Sequence, residues 1–141
     1  MVPVLGAVDS PTITDMTDVS AIVACGILAA LAVFQLLLVL GAPIGRFAWG
    51  GAHTVLPTAL RLGSVVSIIL YGVFAVFILS KAGLVTLVDH SGVVGVGMWV
   101  FAIYFSAGVL LNAISRSKRE RLLMTPTSAV LAVLFLVVAQ A

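Results

Sequence analysis

Apolar residues dominate four stretches of the chain, about 19–42, 57–80, 92–115 and 125–140, and polar residues gather between them. A helix needs roughly 20 apolar residues to cross a hydrocarbon core. The first three stretches meet that length, and the fourth, plainest from Val130 to Val138, comes close. The pattern predicts an all-α membrane fold, a four-transmembrane-helix bundle over residues 19–141. It follows an acidic extracytoplasmic tail, residues 1–18, that carries Asp9, Asp15 and Asp18. Thr17 or Asp18 is expected to cap the first span, where a carboxylate also opposes the helix dipole. Pro57 suits the first turn of the second span, and Thr125 with Pro126 the start of the fourth. The fourth span, having the fewest features, is expected to be the most lipid-exposed. The outer half of the second, Val73 to Leu79, reads as plain lipid-compatible sequence.

Between the first two stretches lies Gly41-Ala42-Pro43-Ile44-Gly45-Arg46-Phe47-Ala48-Trp49-Gly50-Gly51, leading to Leu56-Pro57. Gly and Pro recur too often there for one continuous helix. The expectation is an ordered Gly/Pro-rich cytoplasmic hairpin between helices 1 and 2, with Trp49 setting its depth. Re-entry into the bilayer and a flat position on its surface both remain open.

Within the spans the polar positions fall on faces. Tyr104, Gly108, Asn112 and Ser115 succeed one another at about one helical turn and share a face. Ser64, Ser67 and Tyr71 continue down one side of the second span. Gln35 lies near a stripe of small residues, Ala21, Cys25, Ala29 and Ala32, that lets another helix come close. An amide is costly in lipid without a partner, so Gln35 should face inward. Together Gln35, Ser64, Ser67, Tyr71, Tyr104 and Asn112 form a candidate intramembrane polar face.

Composition narrows the picture further. Hydrophobic residues make up 62% of the 141 positions and charged residues 9%, against about 25% charged in a soluble domain. The net charge of +2 conceals an asymmetry. Arg46, Arg61, Arg116, Lys118, Arg119 and Arg121 flank one end of the spans, and Lys81 alone flanks the other. The positive-inside rule then places both basic loops in the cytoplasm and both termini outside a cell (inner) membrane. Met1 to Ala7 are apolar but too few for a signal-peptide core.

Chemistry is thin. The single cysteine and the two histidines, His53 and His90, have no ligand spacing, so neither a metal site nor a cofactor is expected. Asp89-His90-Ser91 holds triad residue types, but neighbours in sequence cannot converge as a triad must. The basic run lacks interleaved aromatics, which argues against nucleic acid. Arg46, Trp49, His53, Arg61, Arg116, Lys118, Arg119 and Arg121 remain as candidates for binding lipid headgroups or a partner, and a Gly-rich loop supplies amides that hold anions.

Two segments, Gly41 to Gly51 with Leu56-Pro57 and Asn112-Ala113-Ile114-Ser115-Arg116-Ser117-Lys118-Arg119-Glu120-Arg121, resemble a group of uncharacterised bacterial four-span membrane proteins of similar length. The resemblance implies the same four-span topology and carries no activity. The leading expectation is a non-enzymatic membrane component that binds a partner membrane protein or anionic lipid headgroups at its cytoplasmic face. The alternative is a small transporter or channel formed by a homo-oligomer, and the third a membrane enzyme acting on a lipid.

Overall fold

The structure, a computed structural model, describes residues 13–88 and 91–141. Most of the expected acidic tail, together with Asp89 and His90, lies outside the described residues. Four helices follow one another: α1 (Ile13–Val39), α2 (Thr58–Lys81), α3 (Ser91–Ala113) and α4 (Lys118–Ala139). Two short 3₁₀ turns, Gly45–Phe47 and Trp49–Gly51, occupy the link between α1 and α2. All four helices are long and apolar enough to cross a membrane, and among the described residues there is no strand. Only helices keep every backbone N–H and C=O satisfied within one segment in lipid, which is why these apolar runs take this form.

Helix α3 packs on α4 and α1 on α2, and α1–α4 and α2–α3 contacts close the ring. The interior is aromatic toward the far end, the end away from the α1–α2 link. Phe74 of α2 lies 4.6 Å from Phe101 and 5.2 Å from Phe105 of α3, centroid to centroid. Phe105 in turn lies 5.0 Å from Phe135 of α4. Tilted and edge-on contacts of this kind match ring edges to ring faces. Gly97 permits a close approach of α3 to α2, since a methyl there would overlap the Phe77 ring.

Several expectations need correction. The described part of α1 already runs from Ile13, so Thr17 and Asp18 lie inside the helix rather than at its cap. Helix α4 begins at Lys118 and runs through Pro126. Residues 118–121 are good helix formers, and Ser117 supplies the cap that Thr125 was expected to give. The Thr125 hydroxyl is instead buried without a partner. Helix α4 is also the most enclosed of the four spans rather than the most exposed. Leu131, Ala132, Phe135, Val138 and Ala139 point inward, because one featureless face is what a tightly packed bundle requires. Within the outer half of α2, Phe74 and Ile78 are buried while Val73 is exposed.

Candidate functional site

The link between α1 and α2 is built turn by turn. At the end of α1, Gly41 (φ +91°) donates to the Leu38 carbonyl at 3.1 Å. Ala42 donates to the Leu37 carbonyl at 3.0 Å, completing the paired bonds of a Schellman turn. The Gly45 amide reaches the Thr54 carbonyl at 2.8 Å and closes the base of the loop. Arg61 braces both strands of the link. Its Nε donates to the Leu56 carbonyl at 2.8 Å, and its guanidinium lies against Gly41. Leu38, Ala48 and Leu56 form a small apolar core of the link's own.

At the tip the backbone turns left-handed. Trp49, Gly50 and Gly51 have φ of 52°, 79° and 74°. For Trp49 that conformation costs about 1–2 kcal/mol. Two contacts offset it: the indole Nε1 donates to Ser64 Oγ of α2 at 3.2 Å, and the ring lies over Gly63, where a methyl would stand 2.7 Å from it. Gly51 has a second constraint, because a side chain there would overlap Ser117.

Successive amides in such a turn form a concave surface that suits an anion. The anion found there belongs to the chain itself. The Gly50 amide donates to Glu120 Oε2 at 3.1 Å, and the Ser115 hydroxyl donates to the same oxygen. Ser117 works on both sides: its hydroxyl donates to the Arg46 carbonyl and accepts from the Glu120 amide at 3.3 Å. The start of α4 is thereby stitched to the tip of the α1–α2 link. Arg46 Nη1 donates to the Gly51 carbonyl at 2.8 Å, and Arg121 Nη1 to the Ser115 carbonyl at 2.6 Å.

Beneath this seam is a cavity of about 410 Å³ with walls from all four helices and the link. Trp49 and Phe47 roof it, Phe105 and Leu131 floor it, and Gln35, Tyr71, Tyr104, Asn112 and Glu120 also line it. Asn112 joins α3 to α4 through its Nδ2, which donates to Ser128 Oγ at 2.8 Å. Gln35 is 8% exposed and lies beside Tyr71, yet its carbonyl oxygen has no partner.

The residues singled out from sequence are therefore divided. Four of the six on the candidate polar face, Gln35, Tyr71, Tyr104 and Asn112, meet at one cavity. Ser64 is buried and accepts from Trp49, and Ser67 donates to the Gly63 carbonyl at 3.1 Å, so neither lines it. Among the basic candidates, Arg46, Arg61 and Arg121 bind backbone carbonyls. Arg116, Lys118 and Arg119 are exposed, with Arg119 5.8 Å from the Phe47 ring centroid. His53 is exposed, and its carbonyl crowds Gly45.

From sequence, Glu120 stands only as a group that could meet His53 and a serine, and it is not among the candidate binding residues. Its signal was present in Ser117-x-x-Glu120, a helix-start pattern. The Glu120 carboxylate leaves its own helix and crosses to the link, which spacing alone does not disclose. No protein-family model, curated protein or solved structure matches this chain.

Proposed function

We propose that the chain is a non-enzymatic membrane component that binds anionic lipid headgroups at its basic, cytoplasmic end. The observation that carries the reading is the seam between the two basic segments. Gly50, Glu120, Ser117 and the Arg46 carbonyl hold the link and the start of α4 together. Arg116, Lys118 and Arg119 are left exposed beside it. Their charges then act from fixed positions rather than from a loose tail. Trp49 and Phe47 suit the boundary between headgroups and chains.

Each Lys or Arg near an anionic leaflet contributes about 1 kcal/mol. Joint Arg116→Ala, Lys118→Ala and Arg119→Ala substitution should weaken retention of phosphatidylglycerol roughly a hundredfold in native mass spectrometry. Unchanged retention removes the proposal. The orientation is tested in a Cys25→Ala background, where Lys118→Cys protein in intact cells should resist a membrane-impermeant thiol reagent. Ready labelling would reverse the sidedness. The transporter reading draws on the same cavity, but the aromatic contacts of Phe74, Phe105 and Phe135 close its floor. The headgroup reading is therefore preferred.

A further inference from the structure

The cavity beneath the seam does not depend on the exposed basic residues, and its chemistry is opposite to theirs. A volume of about 410 Å³ falls in the range of pockets that hold small ligands, roughly 300–1,000 Å³. Its walls are mainly aromatic and aliphatic, with few polar groups. Two of those groups are hydrogen-bond acceptors. The Gln35 carbonyl oxygen is buried without a partner. Glu120 is 8% exposed and accepts from the Gly50 amide and the Ser115 hydroxyl, both at Oε2, so Oε1 takes no part in the seam. The guanidinium groups of Arg46, Arg61 and Arg121 bind carbonyls, and among the described residues no guanidinium hydrogen bond reaches Glu120. A buried amide oxygen without a donor is costly.

The lining also shows where a ligand comes in. Trp49, Tyr104 and Leu111 line the cavity and are 42%, 48% and 67% exposed. They belong to the link and to the inner half of α3. Toward the far end α2 and α3 are joined by Phe74, Phe77 and Phe101. The cavity is therefore open to the surroundings at Trp49, Tyr104 and Leu111 rather than sealed within the bundle.

We infer that this cavity is a lateral binding site for one amphiphile whose head bears a primary ammonium, an aminophospholipid or a long-chain amine. The N–H donors go to Glu120 and Gln35, and the tail lies against Tyr71, Phe105 and Leu131. A head with a bare phosphate and no donor is repelled by Glu120, which separates this site from the cationic surface outside.

The test uses the full chain in micelles containing equal amounts of phosphatidylethanolamine and phosphatidylcholine. These heads have the same charge, and methylation removes the N–H donors of the second. Native mass spectrometry should find one phosphatidylethanolamine kept per chain, preferred roughly tenfold. High salt should not strip it, whereas contacts to the exposed basic residues weaken with salt. Gln35→Leu, which leaves the seam intact, should abolish most of the preference, as should Glu120→Gln. Equal retention of the two lipids by the unaltered chain overturns the inference. So does an unchanged preference in both variants. Long-chain amine added to the same micelles displaces the phospholipid if the ammonium is what is read, and failure to displace it counts against an ammonium site.

Discussion

The two ends of the bundle are held by different forces. At the far end, rings from α2, α3 and α4 interlock, and Phe74 and Phe135 are almost wholly buried. At the basic end the contacts are hydrogen bonds through Trp49, Gly50, Glu120 and Ser117, and a cavity opens just beneath them. In lipid, tails are as apolar as the side chains, so helices associate by close packing and by polar bonds rather than by the hydrophobic effect. Rings supply close packing over the whole length of a contact. Point-to-point hydrogen bonds fix positions while leaving space between them. A site for a ligand belongs at the second kind of end.

Phe74→Ala is the sharpest way to break the packed end. Phe74 touches Tyr71, Phe101, Tyr104, Phe105 and Phe135. Removing its ring should cost about 3–5 kcal/mol, the usual range for Phe→Ala in a core. Unfolding in detergent, followed by circular dichroism, measures it. A loss under about 1 kcal/mol, the range of exposed sites, would show that the rings contribute little to joining the helices.

Gly51→Ala strikes the polar end. It forces a side chain into the left-handed region at φ +74° and into Ser117. The backbone term alone is about 1–2 kcal/mol, and the displacement of Ser117 adds the loss of its bond to the Arg46 carbonyl. The expected total is about 2–3 kcal/mol, smaller than at Phe74. The character of the change should differ too. Hydrogen exchange should quicken at Gly50 and at the start of α4 while the amides around Phe74 stay protected. Uniform loss of protection would mean that the two ends are one cooperative unit.

How much of this was legible in the sequence follows the same division. The four spans were readable because lipid demands long apolar runs, and residues such as Val65 and Leu110 need only be apolar. The face shared by Tyr104, Gly108 and Asn112 was readable because helical spacing places them together. Which apolar residues face inward was not. Phe74 and Val73 look alike in hydropathy, and only packing separates a buried Phe74 from a more exposed Val73. The early start of α4 escaped because Pro126 resembles a first-turn proline, while Ser117 is a cap that the charged run conceals. The role of Glu120 depends on a left-handed turn at residues 49–51 meeting a helix start 70 positions away in sequence, and no local pattern encodes that meeting.

Trp49→Phe makes the finest cut between the two kinds of end. The ring remains over Gly63, but the donor to Ser64 Oγ is lost. Ser64 is fully buried, so its hydroxyl keeps no replacement from solvent, and the cost should be about 1 kcal/mol. If the indole's bond is what holds Trp49 at φ 52°, the roof of the cavity should loosen with no change at the far end. With fluorotryptophan incorporated, the fluorine NMR signal of Trp99 is distinct from that of Trp49 in the unaltered protein, and it should keep its position in the variant. A shifted Trp99 signal would mean that the roof and the aromatic cluster are coupled through α2. The separation between a positioned polar end and a packed aromatic end would then have to be given up.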